Sequence, residues 1–514
     1  MLRGFLSHFA IALLFVGLTA CDGPNTAGVG IPFAPSAPQA QQLSWLSFKT
    51  SSTCYDAKPC FELTPDGKTL ILVNPQQQIY SIDTTTGERT KIADGGCSNL
   101  DCLAIAPDSG SLAYTKTEQE EMAVYSAALP GSHRFVAGTK PKRLGAFPRY
   151  AGFADPNVGR YKISFCGSNQ AVFGRTVARL DTIKDLSSAF AFDTTNSSRT
   201  DLFYENDGSV VSPLQCDPTT GEVYFTAERA TSSAQHQELI LKTSLSRLRN
   251  RGATTETVFS RDSAPGDQLL SDLHANHTQL IFTMNTPSWD PFTLSGLMQK
   301  NLSKSDTPET PLQLFTNSYN RVAGIINTVV QAANKTLFLK TNYLLELDSV
   351  SNSDGTSVAL TSPDASYIQD SISTNDTGEK LLFAEVVSEM NDTHLVTADV
   401  DGSNRKTLWN SGPRDLGRPT PPGALTLNSA TLSKNGKCAV GTWATNTLNV
   451  PITLALIKTT GDGNDLIPLL SSQNQAARIG AFRITPDSGS VIFIGDPYKI
   501  GENHLYLVKT SDCQ

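Results

Sequence analysis

Charge is scarce in these 514 residues: Asp, Glu, Lys and Arg together make up 18%. That argues against long exposed helices laced with paired charges. The Ser, Thr, Asn, Gly and Pro that are abundant instead suit short strands joined by turns. Positive charge is scarcer than negative. A net charge of -8 and a pI near 5.5 leave no extended cationic surface, so counterion release from a phosphate backbone is not a source of affinity and nucleic acid is not an expected partner. The densest basic clusters, Lys140 to Arg143 and Arg247 to Arg251, hold a few charges each and read as solvated loop or strand-edge residues.

The motifs of common catalytic sites are missing too. There is no G-x-S-x-G nucleophile elbow, so a hydrolase domain built around one is not expected. There is no G-x-x-x-x-G-K-[ST] phosphate loop, no H-E-x-x-H, and no G-x-G-x-x-G at a strand-to-helix junction. Histidine is rare. Of seven, His8 lies in the apolar leader, and only His274 and His277 stand close together, in a turn segment that reads as loop and not as a metal site. Acidic pairs such as Glu120-Glu121 and Asp399-Asp401 read as solvated turns. No metal, cofactor or catalytic residue is expected.

What is present begins at the N-terminus. Arg3 supplies positive charge, Phe5 to Leu18 a short apolar core, and Leu18-Thr19-Ala20-Cys21 the small residues and cysteine of a lipobox. Gly17, Thr19 and Asp22-Gly23-Pro24 stop the apolar run below the ~20 residues that a bilayer span needs. The segment resembles the leader of bacterial lipoproteins, with a plain signal peptide cut elsewhere as the rival. The resemblance implies cleavage after residue 20, a diacylglyceryl thioether on Cys21, and a lipid-anchored protein of the bacterial cell envelope, in the periplasm or at the surface. Asp22 resembles an inner-membrane retention signal, but it does not choose between inner and outer membrane. Residues 21–42, rich in Gly, Pro, Ala and Gln, bury too little to fold and are expected to form a tether.

Removing Cys21 leaves eight cysteines, an even number suited to disulfides in an oxidising compartment: Cys54, Cys60, Cys97, Cys102, Cys166, Cys216, Cys438 and Cys513. Cys54 with Cys60 and Cys97 with Cys102 precede two successive repeats at matching places, so local loops are the first expectation. Cys60 with Cys102, across neighbouring units, stays open.

From Leu43 onward an internal repeat dominates. Its first clear copy, FELTPDGKTLILVNPQQQIYSIDTTTGERTKI, starts at Phe61 and parses as four short strands joined by tight turns, one blade of a propeller. LAIAPDSGSLAY from Leu103 and FRITPDSGSVIFIG from Phe482 repeat it. Weaker copies start at Ser212, Ser271, Asp370 and Ala430, and two segments near Ile163 to Gly174 and Val322 to Lys340 fit by apolar alternation alone. Asp66-Gly67, Asp401-Gly402 and Asn435-Gly436 read as hairpin turns, the acid or amide bonding back to the backbone and Gly supplying positive φ.

The stretches TPDGKTLILV, QIYSIDTTTGERTKI and HLVTADVDGSNRKTLW resemble the WD40-like repeats of TolB and of the propellers that precede prolyl oligopeptidase-type hydrolases. The resemblance implies an all-β chain with one β-propeller over 43–514 and four-stranded antiparallel blades. Nine candidate units are visible. Eight blades are expected because propellers usually have four to eight, one weak unit then being an insertion, with seven and nine open. Leu43 to Phe48 is expected to close the ring against the C-terminal strand, with Cys438 and Cys513 as a lock.

Fold alone implies little about activity. A lipid-anchored scaffold binding an envelope protein, peptide or glycan is the expected function. A propeller enzyme, lyase or glycosidase-like, with carboxylates at the central channel is the alternative. Trp289, Phe292 and Trp443 are candidate contact residues, with packing between blades as the competing role.

Overall fold

At Thr64 the first repeat turns back on itself through bonds its sequence specifies. The Thr64 hydroxyl donates to Asp66 Oδ1 (2.6 Å) and accepts from the Thr69 N–H (3.0 Å), while Gly67, at φ +72°, closes the turn onto the Thr64 carbonyl. The last repeat copies this with Thr485 donating to Asp487 Oδ1 (2.6 Å) and accepting from the Ser490 N–H (2.9 Å), and another repeat does so with Ser433, Asn435 and Cys438. Asp83 likewise accepts from the N–H groups of Thr85 (2.8 Å) and Thr86 (2.7 Å). Asx turns of this kind explain why Asp, Asn and Gly punctuate the chain. The Thr86 N–H at Asp83 and the Thr485 hydroxyl at Asp487 hold these two carboxyls below the usual carboxylate range.

The computed structural model describes the strands within 41–509, most of the tight turns between them and short adjoining stretches including Cys60 and Cys513. Residues 1–40 and most of the longer connections, with Cys21, Cys54, Cys97, Trp289 and Phe292, lie outside the described residues.

The strands form nine antiparallel sheets, numbered here as blades 1 to 9: 61–93, 103–148, 159–204, 208–263, 270–316, 329–359, 365–410, 425–471, and 479–509 joined by Gln41–Phe48. Eight have four strands. Blade 4 adds Gly208–Val210, which pairs with Glu222–Ala230 beside Gln215–Asp217. The chain is therefore a single all-β propeller of nine blades, a count left open in the sequence beside the preferred eight. Both segments that fit by alternation alone are hairpins of their own blades: Gly159–Cys166 with Gln170–Val177, and Val329–Ala332 with Lys335–Asn342.

Why the second strand of each blade reads as an unbroken apolar run follows from its two faces. In blade 1, Leu70 and Leu72 pack against Ala481, Ile492 and Ile494 of blade 9, whereas Ile71 and Val73 pack against Leu112 and Tyr114 of blade 2. Successive side chains point to opposite sides of a pleated strand, so each blade needs a neighbour on both sides. Similar clusters join blades 2 to 3, 3 to 4, 4 to 5, 6 to 7, 7 to 8 and 8 to 9. Blades 5 and 6 meet through their first strands, Leu270–Ala275 and Val329–Ala332. First strands of several other neighbouring blades touch as well, which puts them around the axis.

Closure is multiple. Gln41–Phe48 pairs antiparallel with Asn503–Lys509, Arg483 Nε of blade 9 bonds Glu62 Oε2 of blade 1 at 3.1 Å, and the apolar contact of Ile492 and Ile494 with Leu70 and Leu72 lies between. Two disulfides staple neighbouring blades: Cys166–Cys216 joins 3 to 4, and Cys438–Cys513 joins 8 to the end of 9, as the lock expected from the sequence. Cys60 and Cys102 are disulfide-bonded as well.

Two outcomes are expected. Replacing Cys438 and Cys513 together by Ser, which opens a link spanning 75 residues, should lower stability by about 2–4 kcal/mol in urea titrations. Depressed carboxyl pKa values contribute stability that is complete above about pH 4 and lost as pH falls through the folded values. Asp487→Asn, which keeps an acceptor oxygen as at Asn435 but removes the charge, should therefore lower the melting temperature slightly near neutrality and flatten its decline as pH falls below about 4.

Candidate functional site

Each blade runs out, back, out and back, so its connections fall on two faces. One, the hairpin face, holds the turns between first and second strands, none longer than five residues, and those between third and fourth, which lengthen to 10–13 residues in three blades, at 129–141, 245–255 and 302–311. The other, the crossover face, holds the turns between second and third strands and the blade-to-blade crossovers, which reach 14 residues at 411–424. Connections of nine residues or more are at least twice as numerous on the crossover face as on the hairpin face, which has three, and long connections on a rigid frame are where binding residues usually sit.

Buried ionisable side chains recur at the crossover end of the second and third strands, among them His236, Glu238, Glu385, Asp392 and His504. In blade 7 the strand Lys380–Val387 carries Glu385 two residues from its end, opposite His394 of Asp392–Asp399. Glu385 is fully buried in an otherwise apolar run. It is satisfied by the Arg405 guanidinium and by the Ser362 N–H (2.9 Å), which comes from the crossover leaving blade 6. Arg405 Nε also donates to the Leu360 carbonyl (3.3 Å) of that crossover. His394 lies with Nδ1 4.0 Å from Glu385 and Nε2 3.0 Å from Asp392, and the Ser411 hydroxyl donates to the other oxygen of Asp392 (2.9 Å).

Blade 4 has a related set at the same depth. Glu228, on Glu222–Ala230, stands opposite Glu238 of His236–Ser244. The buried His236 ring bonds Glu228, and Glu238 Oε2 accepts from the Leu270 N–H (2.7 Å) at the start of blade 5. In both blades, then, a buried carboxylate fixes the backbone of an adjoining blade or crossover. In blade 2, Tyr125 donates to Glu118, and Arg143 bridges Glu118 (3.4 Å) and Glu121 (2.7 Å) beside the turn at Gln119.

The arrangement of Ser411, Asp392 and His394 does not make a nucleophile. Its serine hydroxyl donates to the aspartate and not to the histidine, so the three do not form a Ser-His-Asp relay. Around the axis, Glu62 and Arg483 on first strands neutralise one another. Among the described residues no three His, Cys, Asp or Glu side chains converge to hold a metal, and no helix is long and apolar enough to cross a membrane.

Of the residues singled out from sequence, Trp443 is corrected. It is fully buried, edge-on to Trp409 with ring centroids 5.9 Å apart, in the core between blades 7 and 8. It packs blades and is not a surface contact. Its strand, Cys438–Thr445, is a second strand, and both sides of such a strand face neighbouring blades. Trp289 and Phe292 lie outside the described residues. Glu385, His394, Glu228 and His236 carried one sequence signal, a carboxylate interrupting an apolar strand, as in LLFAEVV and VYFTAERA.

No family model and no curated protein matches the sequence. Solved structures that resemble it include dipeptidyl peptidase 4 of Porphyromonas gingivalis, at TM-score 0.50 and 9% identity over 86% of this chain and 65% of that one. An oligogalacturonate lyase in complex with manganese follows at TM-score 0.39 and 9% identity, over 93% and 99%. TolB from Acinetobacter baumannii follows at TM-score 0.30 and 11% identity, over 78% and 80%. At such identities the similarity is one of fold.

Glu385→Ala should cost about 3 kcal/mol, because it strands the Ser362 N–H and one side of a partly exposed Arg405. Pairing Glu385→Leu with Arg405→Met should recover part of that loss in the same denaturation assay.

Proposed function

We propose that this chain is a lipid-anchored binding scaffold of a bacterial envelope, with a protein, peptide or glycan as the partner of its crossover face. One observation carries the reading. Two buried carboxylates of that face are spent on fixing a crossover and a neighbouring blade, Glu385 on Ser362 and Glu238 on Leu270. They hold a frame in place. A rigid closed ring offering crossovers on one side suits recognition, because ordering is completed before binding and costs the complex less.

The anchor belongs to the same proposal and rests on Leu18-Thr19-Ala20-Cys21. Two or three acyl chains give stable attachment where one gives marginal binding.

Placing a photo-crosslinking residue at Gln76, exposed on the crossover face of blade 1, or at Thr86, exposed on its hairpin face, tests the binding surface. Envelope adducts specific to Gln76 are expected; adducts equally frequent at both positions, or at neither, would overturn the assignment. Cys21→Ser should move the protein from the membrane to the soluble fraction, and detergent-dependent retention of that variant would remove the anchor.

A further inference from the structure

The direction of one strand says which way the anchored propeller faces. Gln41–Phe48 is the outermost strand of blade 9, and its register puts Gln41 opposite Leu507 and Phe48 opposite Asn503. The strand Asn503–Lys509 in turn pairs with Ser490–Gly495, Lys509 opposite Ser490 and His504 opposite Gly495. Ser490 directly follows the Thr485 to Gly489 hairpin turn, so Lys509, Leu507 and therefore Gln41 lie toward the hairpin face. Phe48 lies toward the crossover face. The chain thus enters the propeller on the hairpin side of its rim and travels across the blade to the other side.

We infer that the lipid on Cys21 holds the hairpin face toward the bilayer and presents the crossover face to the aqueous compartment. This rests on the anchor proposed above. Nineteen residues, 22–40, separate Cys21 from Gln41, and a Gly- and Pro-containing chain of that length has a root-mean-square span of roughly 25 Å. Bringing the crossover face to the membrane would require the tether to climb the height of the blade. The seven residues of Asn503–Lys509 set that height at about 23 Å, from ~3.3 Å per residue. For a Gaussian tether the added reach lowers the population about threefold before any clash with the rim is counted.

The same register explains why the tether does not compete for the binding surface. It leaves from the side where hairpin turns are closed by their own Asx bonds, at Thr64 and Thr485 among others. The crossovers and the ionisable groups beside them stay on the far side.

The full lipidated protein, reconstituted in phosphatidylethanolamine and phosphatidylglycerol vesicles carrying a headgroup spin quencher, provides the test. A fluorescent amino acid is placed at Thr85, exposed on the hairpin face of blade 1, or at Gln76, exposed on its crossover face. Blade 1 adjoins blade 9, so both sites are near the tether and differ mainly in face. Quenching about threefold stronger at Thr85 is expected. Equal quenching, or stronger quenching at Gln76, overturns the orientation, provided that Cys21→Ser abolishes quenching at both sites. If Cys21→Ser leaves quenching intact, it is the anchor that fails, and the orientation with it.

Discussion

Everything in this fold depends on a strand that is apolar on both faces. A sheet with one wet face could stand at the edge of a structure, but the second strands here cannot. Leu70, Ile71 and Leu72 are all fully buried, and they face two different blades. The same split divides Leu381 and Phe383 from Leu382 and Ala384 in blade 7, and Val491 and Phe493 from Ile492 and Ile494 in blade 9. A row of such sheets has no stable end, and closing the row into a ring removes the ends. The N-terminal strand on blade 9, the Glu62–Arg483 pair and the Cys438–Cys513 link are successive means to that closure.

From this constraint follows the separation of roles along each blade. The middle of the sheet is committed to neighbours, so polar chemistry is pushed to the strand ends. At the hairpin end most of it is local: Thr64, Thr485 and Asp487 bond within a few residues of themselves, although the Asp66 N–H also donates to Ser109 of blade 2 and the Asn435 amide to the Cys513 carbonyl. At the crossover end it is long-range. Glu238 reaches the first residue of the next blade, and Glu385 reaches the connection arriving from the previous one. A buried carboxylate is a poor source of net stability but fixes geometry well, which is what an otherwise nonspecific apolar interface between blades lacks.

The repeat, its four-stranded parse and the closing strand were legible in the sequence because they rest on local rules: period-two alternation and Asx turns. The blade count was not. Blade 3 turns at Gly167 after Cys166, and blade 6 closes through residues 333–334, so neither carries the Pro-Asp signature. A general expectation about propeller size then outweighed two true but weak signals. Cys166–Cys216 was invisible for another reason. It joins first strands of adjacent blades 50 residues apart, and sequence spacing does not report which strands meet around the axis. Trp443 shows the limit of residue type as a guide: an aromatic in a short polar-looking stretch, GTWATN, sits on a strand with no exposed face.

The candidate site was the least legible part, and the reason is physical. Glu385 is adjacent to nothing acidic or basic in the chain, Glu228 has only Arg229 beside it, and the partners found for both lie on other strands or other blades. Their one local mark is that each interrupts an apolar run two residues before the strand ends. Burying an ionised group without compensation costs several kcal/mol, so such an interruption signals that a partner must exist in three dimensions. In a fold whose second strands are apolar on both faces, that partner can come only from the strand ends and crossovers. An isolated carboxylate in a propeller's second strand is therefore a marker of the crossover face, and here it appears at equivalent depth in blades 4 and 7.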